Sequence, residues 1–197
     1  FTDPGFSKFI LAQFYAFEES FQGGLNVAVG RFAPNVEAGQ PAQQILIGAD
    51  AGGGPRVAVF QLKRNADGAA GNFPFAPTRL RDFFAYEPTF TGGVRVAAGD
   101  FSPTPDGVDD IVVSPGVGGG PRVRVLDGAT DYNLGPDAQP PLAVLADFFA
   151  YELSVTGLYV AAGDYDGSGR ADLVLGPQNG GGRVKVLDGA TLPRTPG

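Results

Sequence analysis

The chain has no cysteine, no histidine, no methionine and no tryptophan in 197 residues. Without cysteine there is no disulfide, thiolate metal site, iron–sulfur cluster or thiol nucleophile, and any redox compartment is permitted. Without histidine there is no imidazole metal site, no Ser-His-Asp triad and no imidazole acid or base. Long apolar runs are missing too. None approaches the roughly 18 residues of a membrane-spanning helix, and no signal peptide is visible. No stretch sustains a 3.6-residue period between caps, so almost no helix is expected. Positive charge is scarce: 14 basic against 21 acidic residues, a formal charge of −7. That balance argues against nucleic acid or an anionic membrane as partner and is compatible with a bound cation. The chain starts at Phe1 rather than Met, which reads as a mature product or a fragment.

Turn formers are abundant. Glycine (31) and proline (17) make up about a quarter of the chain, without the Gly-X-Y period of collagen. With 43% hydrophobic residues the chain does not have the composition of a disordered one. Many short strands joined by many turns use glycine and proline in this way.

The sequence repeats itself. FYAFE (14–18) returns as FFAYE at 83–87 and 148–152, offsets of 69 and 65 residues. LNVAVGRF from Leu25 returns as VRVAAGDF from Val94 and LYVAAGDY from Leu158. QILIGAD from Gln44 returns as DIVVSPG from Asp110 and DLVLGPQ from Asp172. GGGPRVAVF from Gly52 returns as GGGPRVRVL from Gly118 and GGGRVKVL from Gly180. Each block reads as a short strand between Gly, Pro and Asp clusters. Val27 and Val29 stand in a run with no polar face, so these strands are expected to be buried on both sides. In the FFAYE blocks Phe84 and Tyr86 would take one face, Phe83 and Ala85 the other. A four-stranded unit repeating every 60 to 70 residues is the signature of a β-propeller blade. A sandwich would not repeat strand for strand, and a solenoid would have a shorter period.

These blocks resemble the FG-GAP repeat, the blade type of integrin α-subunit propellers and of many bacterial surface proteins. The residues that carry the resemblance are Gly163-Asp164-Tyr165-Asp166-Gly167-Ser168-Gly169-Arg170-Ala171-Asp172 leading into LVLGP, and Gly99-Asp100-Phe101 leading through a longer loop to Asp110 and IVVSPG. The resemblance covers essentially the whole chain and is degenerate in the first repeat. It implies an all-β propeller of four-stranded antiparallel blades with Ca²⁺ in the loops. The expected division is a lone outer strand at 6–18, blade 1 at 25–87, blade 2 at 94–152 and a three-stranded part of blade 3 at 158–188. DGAT recurs at 127–130 and 188–191, followed each time by a Pro-containing stretch. Joined tail to head, the chain's end and start would form one more such loop. Three blade equivalents do not close a propeller, since closure takes about four to eight. Either this is part of a larger propeller, or copies assemble.

As chemistry, Ca²⁺ takes six to eight oxygens from a loop that wraps it. Counting Asp164 as the first position, alternate residues offer Asp166, Ser168 and Asp172, with Arg170 by its backbone carbonyl. Gly167 and Gly169 permit the left-handed backbone such a loop needs. Three carboxylates in nine residues repel one another unless a cation lies among them. An Asp-Gly hairpin turn needs one Asp rather than three, and Mg²⁺ prefers a smaller octahedral site. The second loop carries Asp100, Ser102, Thr104, Asp106, Asp109 and Asp110, of which Asp100, Ser102, Asp106 and Asp110 are the expected second Ca²⁺ site. It is two residues longer and contains Pro103 and Pro105, and Asp109 is expected to face solvent. In the first loop, Arg31 and Gln44 replace the two end carboxylates. No metal is expected there, and the Arg31 guanidinium is expected to stand in for the cation, bonding loop carbonyls or Glu37.

Residues present in every repeat are read as serving the repeat. Arg56, Arg122 and Arg183 are expected to pair with Glu18, Glu87 and Glu152 rather than face a ligand. The repeated aromatics are read as packing. What the repeats do not share is mostly loop, at 63–78 and 131–141, where binding is often carried. The resulting expectation is a non-enzymatic, calcium-stabilised interaction or adhesion module, extracellular or on a bacterial cell surface. It would bind a protein or glycan, without nucleic acid and without membrane insertion. The alternative is the propeller of a secreted enzyme such as a polysaccharide lyase or phospholipase. The first is preferred because no nucleophile–base pair can be assembled and because the clustered Asp residues suit a cation better than paired-carboxylate glycoside chemistry.

Overall fold

A computed structural model describes residues 9–32, 42–65, 73–130 and 143–195. It is all-β, with three antiparallel sheets and almost no helix. The first sheet runs β1 (Leu25–Gly30), β2 (Gln44–Ala49), β3 (Arg56–Arg64), β4 (Phe75–Phe84). The second runs β5 (Val94–Gly99), β6 (Asp110–Pro115), β7 (Arg122–Leu126), β8 (Val144–Phe149). The third has β9 (Leu158–Gly163), β10 (Asp172–Pro177) and β11 (Lys185–Leu187). In every sheet the strands pair with their chain neighbours, as hairpin connections dictate. No helix among the described residues is long and apolar enough to cross a membrane.

The sheets pack face to face in series. Leu46, Val57, Val59 and Phe83 of the first meet Val94, Val96, Ile111 and Val113 of the second in one core. Ala97, Val112, Val123 and Val125 on the opposite face of the second meet Leu158, Leu173 and Leu175 of the third. Each such side chain contributes roughly 1.5–3 kcal/mol on full burial. Among the described residues the series is open and closes no ring. The expectation of strands buried on both faces therefore holds for the middle sheet and fails at the ends. Val27 is 66% exposed, and Leu25, Val29, Tyr159 and Val186 are exposed as well.

Three further expectations are corrected. The lone outer strand expected at 6–18 is not a strand over its described part, 9–18. A strand needs a partner's backbone, and here one main-chain bond, from Phe75 N–H to Leu11 O (3.1 Å), ties the segment to β4. It instead lays Phe14, Ala16, Phe17 and Phe21 over Ile47, Ala49, Ala58 and Phe60. The FFAYE blocks are only half strand: β4 ends at Phe84 and β8 at Phe149, and the following Ala-Tyr-Glu is an exit turn. The loop expected at 63–78 is strand at both of its ends, because β3 continues to Arg64 and β4 begins at Phe75. Asn65 closes it, with its N–H on Pro74 O (3.0 Å) and its side chain on Phe73 O (3.0 Å). Pro77 is tolerated because β4 is an edge strand. Residues 131–142 lie outside the described residues, as do 1–8, 33–41 and 66–72.

The exit turns clasp one sheet to the next. Tyr86 donates its O–H to Val113 O (2.9 Å), and Tyr151 donates to Leu175 O (2.8 Å). The expected ion pairs are present at 2.7 Å for Arg56–Glu18, 3.8 Å for Arg122–Glu87 and 2.6 Å for Arg183–Glu152. Each arginine also lies over the aromatic ring of its exit turn, Phe17, Tyr86 or Tyr151. A second cation caps each turn's alanine carbonyl: Arg79 on Ala16 O (2.9 Å), Arg124 on Ala85 O (2.6 Å) and Lys185 on Ala150 O (2.6 Å). The sequence reading missed this second cation, and also Asp82 and Asp147. These take bidentate bonds from Arg56 and Arg122 across the third and fourth strands, at 2.7–2.8 Å. The Asp before each complete FFAYE block was the available signal.

Candidate metal centre

The three loops of interest join the first and second strands of each sheet. Gly30 pairs with Gln44, Gly99 with Asp110 and Gly163 with Asp172, so the loops leave from equivalent register positions. They also touch in series. Asp109 N–H donates to Arg31 O (2.7 Å) and Ala171 N–H to Asp100 O (2.9 Å).

The third loop gathers its carboxylates. Ligand oxygens of Asp164, Asp166 and Asp172 all lie within 4.8 Å of one another. Asp164 accepts N–H bonds from Gly167 (2.8 Å) and Gly169 (2.9 Å), which curl the loop around it. Both glycines have positive φ, 78° and 81°, as the sequence required. Asp166 accepts Ser168 N–H (2.9 Å). The Ser168 hydroxyl and N–H together hold the Asp166 carboxyl below its ordinary value. Asp172 is buried and accepts Tyr165 N–H (3.0 Å) and Gly189 N–H (2.9 Å). The Arg170 side chain turns away from the cluster and donates to Pro103 O in the neighbouring loop.

The residues fit a hard divalent cation. Oxygens that share a Ca²⁺ at 2.3–2.6 Å can be no farther apart than about 5 Å, and these meet that limit. Three carboxylates supply the charge, and carboxylate oxygens can take a cation as well as an N–H.

The second loop places its residues differently. Asp100 accepts N–H bonds from Ser102 (3.1 Å), Asp106 (2.9 Å) and Gly107 (3.0 Å), and Asp106 accepts Val108 N–H (2.8 Å). Asp110 accepts Phe101 N–H (2.8 Å) and Gly128 N–H (2.9 Å). Among the described residues, only the third loop's carboxylates converge as a group of three. The second loop is two residues longer than the third and contains Pro103 and Pro105. Burial pushes the Asp110 carboxyl up to about 7; the two N–H bonds oppose this, and the charges of Asp100 and Asp127 add to it.

No family model matches the chain, and no curated protein matches it.

The first loop explains part of what the other two share. Buried Gln44 accepts Phe32 N–H (2.7 Å), as Asp110 accepts Phe101 N–H and Asp172 accepts Tyr165 N–H. An oxygen at this position therefore closes the loop whether or not it bears charge. Asp110 and Asp172 additionally fasten the Asp-Gly-Ala-Thr turn through Gly128 and Gly189. That tetrapeptide recurs in the two repeats that have Asp at this position and is absent from the repeat that has Gln44. Asp109 is not left to solvent: it is half-buried and accepts Arg31 N–H (2.7 Å). Arg31 joins the neighbouring loop through its backbone, while Glu37 lies outside the described residues. Beside Arg31, a recess of about 470 Å³ opens between Ala42, Gln43, Gly107 and Asp109.

Proposed function

We propose that this chain is a calcium-stabilised, non-enzymatic interaction module built from FG-GAP-like propeller blades. The observation that carries this is the convergence of Asp164, Asp166 and Asp172 on one point of a loop between consecutive strands. Asp164, Asp166 and Asp172 would hold Ca²⁺, with Ser168 and the Arg170 carbonyl within the same loop. The ion would neutralise three crowded carboxylates and lock the loop; it supplies no reaction step. Asp100, Ser102, Asp106 and Asp110 form a weaker second candidate, because among the described residues only the third loop's carboxylates converge as a group of three. The partner would be a protein or glycan met outside the cell or at a bacterial surface, through the loops of a rigid sheet scaffold. Exposed Tyr165 and Leu153 offer apolar contact there.

The test is thermal unfolding with Ca²⁺ and with chelator, in the parent chain and in Asp166→Asn. Binding to the folded state alone stabilises by about 2.7 kcal/mol at a hundredfold excess over Kd. The parent should melt higher in Ca²⁺, and Asp166→Asn should lose most of that gain. Coincident melting curves for the parent in Ca²⁺ and in chelator would reject the metal centre.

A further inference from the structure

Gly30 and Gly99 end the first strands of their sheets, and a side chain at either would strike the next sheet. A Cβ on Gly30 would lie 2.8 Å from Ala98 Cβ, and one on Gly99 would lie 2.6 Å from Ala171 Cβ. Gly48 is equally tight, its Cβ falling 2.6 Å from Val94 O, and its counterpart Ser114 bonds Leu158 O at 3.1 Å. The third sheet has the same glycines at the same register positions, Gly163 and Gly176, yet a Cβ on either meets nothing within 4 Å. The valines beside them tell the same story. Val57, Val59, Val123 and Val125 are fully buried under the following sheet, whereas their counterparts Val184 and Val186 are exposed.

The complementary surface is on the same chain. In both internal junctions this glycine-and-valine face receives a first strand, through Val94 and Val96 or through Leu158 and Val160. Their counterparts on β1, Leu25 and Val27, lie exposed at the other end of the series, uncharged and facing no sheet. The edge of β11 is also open. β3 and β7 have fourth-strand neighbours and β11 has none among the described residues. A groove of about 360 Å³ runs there between Phe149, Val186, Leu187 and Leu192. The N-terminal segment has the sequence of a fourth strand and already makes the exit-turn clasp to the first sheet, through Phe17 and Glu18 on Arg56.

We propose that the open face and edge of the third sheet take the first sheet and N-terminal segment of a second copy of this chain, head to tail. In the register of the second sheet, where Arg122 opposes Phe149 and Arg124 opposes Asp147, Arg183 would oppose Tyr15 and Lys185 would oppose Gln13 of the second copy. Two copies joined at both ends would give six sheets, within the range that closes. This rests on the blade reading of the sheets and not on the metal. Its outcome is read from mass and cross-linking, whereas the metal centre is read from the effect of chelator on melting.

The cysteine-free background makes the test direct. Singly substituted Gln13→Cys and Lys185→Cys chains are mixed and oxidised, since opposed cross-strand residues are close enough to bridge. The mixed disulfide should exceed either self-pair by about tenfold or more. Sedimentation of the parent should show self-association, and Gly163→Val with Gly176→Val should weaken it by at least about tenfold without lowering the melting temperature of the dilute chain. Neither glycine has a positive φ, so valine fits both strands. A single-chain mass throughout the micromolar range, or mixed disulfide no more abundant than the self-pairs, would overturn the proposal.

Discussion

Arg56, Arg122 and Arg183 occupy one position of one repeated block, and the structure assigns them very different energetic weight. Arg56 and its partner Asp82 have side chains only 12% and 5% exposed, joined by two bonds of 2.7–2.8 Å. Replacing Arg56 by Met leaves Asp82 buried with only Arg79, at 2.7 Å, to answer it. Breaking a buried pair costs about 3–5 kcal/mol. The remaining arginine holds the expected loss for Arg56→Met near the lower end, about 3 kcal/mol, or about 6–12 °C in melting temperature for a chain of this size. The Phe17 ring loses its cation in the same step. Arg122→Met should fall lower, about 1.5–2 kcal/mol, because Arg124 still reaches Asp147 at 3.0 Å and the loss is held to the low end of the roughly 1.5–3 kcal/mol of a hydrogen bond to a charged group. Arg183 has no fourth-strand carboxylate among the described residues, and its pair with Glu152 is 58% and 63% exposed. Arg183→Met should leave the unfolding midpoint of dilute protein unchanged, as exposed pairs contribute little. Urea unfolding followed by circular dichroism measures all three, and the order Arg56, Arg122, Arg183 is the claim. Equal losses at the three positions would show that the repeated Arg–Glu clasp, rather than the intrasheet Asp, carries the stability, and would refute the reasoning.

Gly99→Ala should cost about 1–3 kcal/mol by forcing Ala171 away, whereas Gly176→Ala should leave the melting of dilute chain unchanged, because nothing lies within 4 Å of its Cβ. Tyr86→Phe should lose about 1–2 kcal/mol in urea unfolding, the cost of leaving the Val113 carbonyl without its donor, while the ring itself fits, as Phe17 does in the first clasp. Burial pushes the Asp147 carboxyl up, but bonds from Arg122 and Arg124 outweigh it and hold the group below its ordinary value. Its folded value being the lower one, its stabilisation is full above the unfolded value of about 4 and is lost as pH falls through that range. Asp147→Asn should therefore flatten the loss of stability between neutral and acid pH, and an unaltered pH profile of urea midpoints would count against it. Asp106→Asn should change the Ca²⁺-dependent melting gain far less than Asp166→Asn does, as the second loop's carboxylates do not converge.

The three-fold order of the strands was legible because each strand is a short apolar run bounded by turn residues, and because each sheet is assembled from chain neighbours. The Arg–Glu pairs were legible because they recur with the repeat, and the Asp164–Asp172 loop because its alternation is local, with every participant within nine residues. Recurrence could not say what lies beyond a sheet. Val27 and Val96 hold the same position of the same repeated block, yet one is exposed and the other buried, because burial is set by the sheet stacked on a face and not by the strand itself. For the same reason residues 9–18 have the sequence of a fourth strand and not its structure: a fourth strand needs the edge of a third, and among the described residues β11 is the third strand that has no fourth beside it. The second loop has carboxylates enough for a cation, but they do not converge as the third loop's do, which spacing alone does not reveal. Local composition determined the strands, turns and acidic loop; the stacking of one sheet on the next decided which residues are core, which arginine is buried with its carboxylate, and which glycines still face open space.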